Sequence, residues 1–72
     1  MTLQQIRYCL TIAQTGSMNR AAEQLYVTQP ALTGAIQELE QEVGVTTFNR
    51  TNRGVTLTND GRRFLHYARQ VY

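Results

Sequence analysis

Several features that define whole classes of protein are missing from this sequence. One cysteine in 72 residues cannot form an internal disulfide, and such sparing use of cysteine fits a reducing compartment. No uninterrupted apolar run approaches the ~18 residues of a transmembrane helix. The opening segment, MTLQQIRYC, lacks the basic flank and apolar run of a signal peptide. The chain is therefore predicted to be one small cytoplasmic domain with no membrane partner.

Charge is also scarce, and lysine is absent. Charged residues make up 17% of the chain, and seven arginines against five acids give a net charge of +2. This balance permits a nucleic-acid partner without requiring one. Residues 1–42 hold two arginines and four glutamates, which is −2, whereas residues 43–72 hold five arginines and one aspartate, which is +4. The second segment is therefore the one suited to sequence-independent contact with phosphates.

The sequence holds no set of residues that could carry catalysis or bind a metal. Cys9 lies on the apolar face of a predicted helix with no His–Asp set nearby, so core packing is favoured over a nucleophilic or redox role. His66 is the only histidine, and no second ligand lies at helical spacing from it. A glycine-rich phosphate loop is absent as well. We therefore expect no enzymatic activity, no cofactor and no bound metal.

The first 25 residues predict two helices. Thr2 and Gln5 can form a capping box at the start of the first helix, and Gly16 ends it. Ser17 caps a short second helix, about residues 18–25, whose alanines allow another helix to approach closely. The apolar face of the first helix is predicted to consist of Leu3, Ile6, Cys9, Leu10, Ile12 and Ala13.

A third helix is predicted between Thr28, its N-cap, and Gly44, with Pro30 in the first turn, where a missing N–H costs nothing. Its buried stripe consists of Leu32, Ile36, Leu39 and Val43. The opposite face is polar, uncharged and free of bulk, and consists of Gln29, Thr33, Gly34, Gln37 and Gln41. Acids gather at the C-terminal end of this helix, where they oppose the helix dipole, so helix stability is not expected to be their purpose.

After the third helix the pattern predicts a hairpin and a last helix. The β-branched segments 45–48 and 55–57 flank a turn at residues 52–54, which is typical of a small hairpin. Thr58 caps the last helix, and Asp60 lies in its first turn. The apolar stripe of this helix consists of Phe64, Leu65, Ala68, Val71 and Tyr72. Because no cap closes it, we expect a chain cut from a longer protein or a partner that covers the stripe.

This order of elements is that of a mainly α winged helix-turn-helix. The third helix must bury one face while its first turns stay free to enter a DNA major groove about 12 Å wide. Gln29 and Gln37 can each read adenine through two hydrogen bonds, and Thr33 can contact a base or a phosphate. The amides at the helix start suit a phosphate oxygen. The aromatic residues Tyr8, Tyr26 and Phe48 are interpreted as core and hinge packing rather than as a base-stacking platform.

The sequence resembles the DNA-binding domain of LysR-type transcriptional regulators over essentially all 72 residues, without gaps. The residues that carry the resemblance are Gly16-Ser17, Ala21-Ala22, Leu25, Val27-Thr28-Gln29-Pro30-Ala31-Leu32-Thr33, Ile36, Leu39-Glu40, Val43-Gly44-Val45, Phe48, Arg50, Arg53-Gly54-Val55, Leu57-Thr58 and Gly61. The resemblance implies sequence-specific binding of double-stranded DNA by a homodimer. It also implies that residues 1–58 form the DNA-binding domain and that 59–72 begin a linker and dimerisation helix. A C-terminal domain, absent from this chain, would bind any small-molecule effector.

The resemblance also assigns roles to individual residues. It implies that the third helix lies in the major groove, that Arg53 at the hairpin tip reaches the minor groove or its phosphates, and that Arg50 lies at the base of the wing near phosphate. The predicted DNA-binding residues are Thr28, Gln29, Pro30, Thr33, Gln37, Arg50 and Arg53. The predicted dimer interface is the stripe Phe64, Leu65, Ala68, Val71 and Tyr72.

Three positions depart from the family pattern. Gly34 stands where the family often has arginine or another long polar residue, so one usual DNA contact is expected to be missing. Glycine within a helix also costs about 1 kcal/mol relative to alanine. Cys9 and Thr47 stand where larger apolar residues are usual, which predicts a slightly lighter core.

Two other functions fit the same elements. A winged helix can bind another protein through its third helix or its hairpin, and in that case Arg53→Ala would leave duplex affinity unchanged. Alternatively the chain could be a helical dimerisation module with incidental DNA contact, which would keep its operator selectivity after Gln29→Ala and Thr33→Ala.

Overall fold

A computed structural model describes residues 1–71, which form four helices and one antiparallel hairpin. The elements in chain order are α1 (Leu3–Thr15), α2 (Met18–Leu25), α3 (Gln29–Val43), β1 (Phe48–Thr51), β2 (Gly54–Leu57) and α4 (Asn59–Val71). This arrangement confirms the predicted winged helix-turn-helix, in which the hairpin is the wing. None of the helices in the described part of the chain is long and apolar enough to cross a membrane.

The predicted helix ends are formed by the side chains that the sequence offers for them. At α1 the Thr2 hydroxyl accepts from the Gln5 amide at 3.1 Å, and the Gln5 side chain accepts from the Thr2 amide at 3.2 Å, which completes the capping box. Gly16 ends α1 in the left-handed conformation, with φ of 67°. Ser17 and Thr28 cap α2 and α3. These caps fix the short turns that set α3 across α1 and α2.

The core lies where α1, α2 and α3 meet, and α4 covers one side of it. The most deeply buried apolar side chains, with no exposed surface, are Cys9, Ile12, Ala21, Leu32 and Leu39. The prediction for Leu3 is wrong, since this first residue of α1 lies beyond the edge of the core and is 61% exposed. Leu10 and Ala13 pack against the core while partly exposed. The stripe on α3 is buried as predicted at Leu32, Ile36 and Leu39, with Val43 at its margin.

Tyr26 is the C-cap of α2, and its predicted role in packing is wrong. Its backbone is left-handed, with φ of 57°, which lets the following Val27 amide donate to the Ala22 carbonyl at 3.1 Å. In that conformation the ring points into solvent and is 94% exposed. The other two aromatic predictions hold, because Tyr8 is buried and Phe48 packs against the core. The left-handed region is sterically costly for any side chain that has a Cβ atom.

Replacing Tyr26 by glycine is therefore expected to stabilise the domain by about 1 kcal/mol, because the strain is relieved and no buried surface is lost. Urea unfolding followed by circular dichroism would measure the change. Tyr26→Ala is the matched control, since it removes the same ring but keeps the Cβ atom, and it should gain little. Equal stabilities of the two variants would contradict the strain at this position.

The first strand of the hairpin begins three residues later than predicted. β1 pairs with β2 from Phe48 opposite Leu57 to Thr51 opposite Gly54, so only residues 52 and 53 form the turn. The prediction of a strand over 45–48 fails because of Thr47, which is 1% exposed. The Thr47 amide and hydroxyl donate to Glu40 Oε2 at 2.6 and 3.0 Å. The Thr47 amide is therefore bonded to α3, and only the Thr47 carbonyl continues the pairing beyond Phe48, by accepting from the Thr58 amide.

The same contacts give the acids of α3 a role in binding other segments of the chain. Glu40 binds the buried Thr47, so the polar residue at this position is satisfied rather than merely small. Glu42 pairs with the N-terminal amine of Met1. Two of the three acids thus bind other segments at the C-terminal end of α3.

The wing is bonded directly to the turn between α1 and α2. The Val55 amide donates to the Gly16 carbonyl at 3.0 Å. A Cβ atom at Gly54 would lie 2.5 Å from that carbonyl oxygen, and the φ of this residue is 132°, so only glycine fits. The hairpin therefore holds a fixed position beside the helices.

The structure corrects two of the predicted dimer-interface residues on α4. Leu65 and Ala68 are 2% and 3% exposed within a single chain, because they face the chain's own core where α4 packs on α1 and β2. They are therefore not free to face a second copy. Phe64 is partly buried against the core, and Tyr67, which was not predicted, is 69% exposed. The predicted contacts of Val71 and Tyr72 lie outside the described side chains.

Cys9 is a core residue, as the sequence indicates. Its side chain is fully buried beneath α3. Desolvation by burial, together with the negative charge of Glu40, raises the pKa of its thiol from 9.0 to about 12. The thiol is thus both inaccessible and protonated at neutral pH, which excludes a redox or nucleophilic role in the folded state.

The buried thiol predicts a loss of stability at alkaline pH. The pKa of the Cys9 thiol is higher in the folded state than in the unfolded state. The stability that the protonated thiol contributes is therefore complete below the unfolded-state pKa and is lost as the pH rises toward the folded-state pKa. Between about pH 8 and pH 10 the free energy of unfolding should fall by about 1.4 kcal/mol more than in Cys9→Ala. Urea unfolding of both proteins across that range measures the difference. If the free energy of unfolding changed with pH equally in the two proteins, the Cys9 thiol would ionise equally in the folded and unfolded states, which would contradict the prediction.

Candidate nucleic-acid interface

The first turns of α3 and the hairpin form one continuous surface. The two elements are joined by a hydrogen bond in which Arg50 Nη2 on β1 donates to Thr33 Oγ1 on α3 at 3.0 Å. Seventeen residues separate these two positions in the sequence. Six of the seven predicted DNA-binding residues are exposed on this surface, and Thr33 is partly buried at the junction. The fold therefore brings Gln29, Thr33, Gln37 and Arg50 of the predicted set together.

Near the start of α3, its exposed face is polar and carries little side-chain bulk. Thr28 caps the helix, with its hydroxyl accepting from the Ala31 amide at 3.3 Å and its carbonyl accepting from the Leu32 amide at 3.0 Å. Because Pro30 has no N–H, Gln29 is the one residue of this first turn whose amide has no partner within residues 1–71. Gln29, Pro30 and Gln37 are exposed on the same helix. A Cβ atom at Gly34 would meet no atom within 4 Å, so the helix backbone itself is accessible at this point.

The tip of the wing presents an arginine. The turn is fixed by Thr51, whose hydroxyl accepts from the Arg53 amide at 3.2 Å and donates to the Gly54 carbonyl at 3.1 Å. Arg53 itself is exposed. Within residues 1–71 the one ion pair joins the Met1 amine to Glu42, so no acid neutralises the guanidinium of Arg53.

Arg50 lies elsewhere than its predicted position at the base of the wing. It is in the middle of β1, opposite Val55, and its side chain reaches across to α3. The sequence predicts separate phosphate and base contacts for Arg50 and Thr33, but it gives no sign that the two side chains touch. That contact follows from the strand register, which places Arg50 opposite Val55.

Two shallow grooves flank this junction. One groove, of about 280 Å³, lies between the starts of α2 and α3 and the wing. Its lining includes Asn19 and Asn52, to which the sequence assigns no role. The other, of about 290 Å³, lies between α3 and β1 and includes Gln37 and Glu40. In the sequence these asparagines are marked only by their positions. Asn19 follows the turn between α1 and α2, and Asn52 lies in the turn of the wing.

The electrostatics of the surface follow from its few charges. No basic side chain occurs on α3, so Arg50 and Arg53 supply the positive charge. The one acid that lines the groove is Glu40, and its carboxylate already accepts two hydrogen bonds from Thr47. Among residues 1–71, no group of three or more His, Cys, Asp or Glu side chains could hold a metal ion. The arrangement is suited to hydrogen bonding with an anionic polymer.

The family model described as "Bacterial regulatory helix-turn-helix protein, lysR family" matches residues 3–62. The chain belongs to the LysR family. Its curated LysR relatives include the HTH-type transcriptional regulator ClcR of Pseudomonas putida, which is 45% identical over 71 residues, 99% of this chain and 24% of ClcR. CfxR of Cupriavidus necator is 41% identical over 71 residues, 99% of this chain and 22% of CfxR. These relatives are transcriptional regulators rather than enzymes, as the sequence predicts, and this chain spans about a quarter of their length.

Solved LysR structures match the whole described fold. The complex of the CbnR DNA-binding domain with DNA superposes with a TM-score of 0.94 at 39% identity, covering 99% of this chain and 82% of that one. The complex of the BenM DNA-binding domain with the catB site 1 DNA gives a TM-score of 0.92 at 35% identity, covering 99% and 80%. The helices and hairpin of this LysR-family chain therefore adopt the arrangement seen in those DNA-bound domains.

Proposed function

We propose that this chain binds double-stranded DNA in a sequence-specific manner as the DNA-binding domain of a cytoplasmic transcriptional regulator. The observation that carries the proposal is the Arg50–Thr33 hydrogen bond, because it joins α3 and the wing into one exposed, acid-poor surface. In the proposed complex α3 lies in the major groove and the wing lies along the backbone and minor groove. Residues 1–58 form the DNA-binding unit, and α4 begins the linker and dimerisation helix.

Each residue of the surface has a proposed role. Gln29 and Gln37 read base edges, adenine being the base that a glutamine pairs with through two hydrogen bonds. The Thr28 hydroxyl and the free amide of Gln29, the first residue of α3, bind a phosphate oxygen. Pro30 packs against the backbone or a base at the same level. Arg53 binds the minor groove or its phosphates from the tip of the wing.

The proposed regulator acts as a homodimer. With Leu65 and Ala68 buried in their own chain, the apolar surface that the described side chains of α4 (residues 59–70) leave exposed is the neighbouring flank formed by Phe64 and Tyr67. Two copies joined through that flank would place two α3 helices on half-sites one or more turns of DNA apart. A small-molecule effector, if one controls the regulator, is proposed to act through a C-terminal domain and not through residues 1–71.

Arg53→Ala tests DNA binding against the alternative of protein binding. We expect about a tenfold loss of affinity for duplex DNA, and a decrease of about 1 in the slope of log affinity against log salt, because one phosphate contact is lost. The wild-type slope should be roughly 2–4 per subunit, since few cations are available. Fluorescence anisotropy with a labelled duplex, over a series of salt concentrations, measures both quantities.

Arg69→Ala is the matched control, since it removes the same charge from the exposed end of α4, away from the surface. It should change the affinity by less than about threefold, through long-range electrostatics alone. If Arg53→Ala bound duplex DNA as tightly as Arg69→Ala does, the wing would have no part in DNA binding and the protein-binding alternative would gain support. A dimer slope near −10 or steeper would mean that more phosphates are contacted than the surface indicates.

A further inference from the structure

We propose that Arg50 is a positioning residue that biases the hydrogen-bonding direction of Thr33, so that the Thr33 hydroxyl preferentially donates to hydrogen-bond acceptors in the major groove. This role rests on the proposed function, because it concerns how the same surface selects its DNA sequence. It assigns Arg50 a part in specificity in addition to any contact with phosphate.

The first step is the chemistry of the contact itself. A guanidinium has N–H donors and no acceptor, so in the 3.0 Å bond between Arg50 Nη2 and Thr33 Oγ1 the hydroxyl oxygen must accept. The position of Arg50 is itself fixed, because it pairs with Val55 across the hairpin and the Val55 amide donates to Gly16. The wing therefore delivers a charged donor to one defined point on α3.

The second step is the fate of the hydroxyl proton. Threonines within a helix often donate back to the carbonyl four residues earlier. Thr11 does so to Arg7 at 2.9 Å, and Thr15 does so to Thr11 at 3.0 Å. Thr33 makes no such bond, and within residues 1–71 its proton has no acceptor. The proton is left for a group outside the protein.

The consequence is a defined preference. A free threonine hydroxyl can donate or accept, so by itself it discriminates poorly between base edges. The Thr33 oxygen has two lone pairs, and Arg50 occupies one of them with a positively charged donor, which disfavours a second donor close by. Thr33 therefore donates in preference, which favours guanine N7 or O6, adenine N7 and thymine O4 over the amino groups of cytosine and adenine. The charge on Arg50 also polarises the O–H bond and strengthens the donation.

The neighbouring glycine keeps this site open. A side chain at residue 34 would stand beside Thr33 on the exposed surface, but Gly34 has none, and the space around it is empty to 4 Å. No longer side chain therefore competes with Thr33 for the same base pair. The Thr33–Arg50 pair is the reading unit at this level of α3.

The test is a selection of bound sites from random duplexes, read by sequencing, with wild type, Thr33→Val and Arg50→Ala. Thr33→Val keeps the shape but removes the hydroxyl, so the base pair whose preference it changes is the one that Thr33 reads. Wild type should prefer an acceptor there by about fivefold or more. Both variants should reduce that preference to less than about twofold, and the double variant should reduce it no further. Thr33→Ser, which retains the hydroxyl, should keep it.

Arg53→Ala serves as the control for a contact with phosphate alone. It should lower affinity and the salt slope, yet leave the preference at the Thr33 base pair intact. The proposal is overturned if Arg50→Ala behaves in the same way as Arg53→Ala, or if Thr33→Val changes no position of the selected site. Failure of wild type to enrich any sequence would instead overturn the proposed function, so the two failures are distinguishable. Circular dichroism of each variant verifies that the substitutions leave the fold unchanged.

Discussion

Gly61→Ala is expected to destabilise the domain by about 3 kcal/mol or more, a large share of the roughly 4–11 kcal/mol available to 72 residues. Gly61 is buried in the first turn of α4, where its amide donates to the Thr58 hydroxyl at 2.9 Å. A Cβ atom there would lie 2.0 Å from the Thr47 carbonyl oxygen. No side chain can rotate to relieve this contact, because the opposing atom belongs to the backbone.

The clash is severe because Thr47 cannot move. Its amide and hydroxyl are held by Glu40, and its carbonyl accepts from the Thr58 amide at 3.1 Å. Any shift that makes room for a methyl group must break these bonds or lift α4 off the loop. Since Leu65 and Ala68 enter the core from α4, their packing would be lost as well. The contacts among α3, the loop at Thr47 and α4 are therefore lost together.

Gly34→Ala is the matched control for that experiment. Gly34 also lies within a helix, but a Cβ atom there meets open space, so alanine should raise the free energy of unfolding by about 0.5–1 kcal/mol. Urea unfolding monitored by helical circular dichroism compares the two variants under the same conditions. If Gly61→Ala unfolded at the wild-type urea concentration, the close packing of α4 on the Thr47 loop would be disproved.

Gln29→Ala is expected to reduce the ratio of affinities for the selected site and for unrelated duplex DNA by about 10- to 100-fold. The reason is the loss of one contact in which the glutamine makes two hydrogen bonds to a base. Gln29 is the first residue of α3 and is exposed beside the wing, next to Arg50 in the groove. Since the substitution removes no charge, binding to unrelated DNA and the salt slope should hardly change. Competition binding with both kinds of duplex measures the ratio.

Gln24→Ala provides the comparison for Gln29→Ala. Gln24 is an exposed glutamine on α2 that lines neither groove of the interface. Its loss should leave the discrimination ratio within about twofold of wild type, since surface substitutions away from a site have small effects. An equal effect of the two substitutions, or none at Gln29, would favour a dimerisation module whose contact with DNA is incidental.

The helices could be predicted from the sequence because their ends are set by local chemistry. Thr2 with Gln5, Ser17 and Thr28 supply caps, and Gly16 supplies the left-handed stop, all within one turn of the backbone groups that they satisfy. The buried stripe of α3 follows from helical periodicity alone. These features require no knowledge of what packs against them.

The errors arose where a distant residue decides the outcome. The start of β1 depends on Glu40 binding Thr47 across seven residues of sequence, a bond that β propensity does not anticipate. Leu65 and Ala68 show the apolar pattern of an interface, yet periodicity cannot tell whether α1 or a second copy covers them. Tyr26 is an aromatic residue, a type that is often packed in a core, but the turn geometry of the α2 C-cap places it in solvent.

Most of the candidate site was predictable as a set of residues but not as an arrangement. Polar residues at the start of α3 and an arginine at the wing tip are visible in the sequence, and each lies on the surface that it was assigned to. The bond between Arg50 and Thr33 required the strand register and the docking of the wing on Gly16. That bond joins the polar residues of α3 and the wing into one surface.

Selection of bound sites from a pool of random duplexes tests the central claim most directly, because it assumes no operator. If α3 and the wing read DNA as proposed, the wild-type protein should enrich one sequence pattern. Dimeric binding should make that pattern a two-fold repeat, with half-sites one or more helical turns apart. Recovery of a pool with no preferred sequence, bound only through salt-sensitive contacts, would contradict sequence-specific DNA binding by this domain.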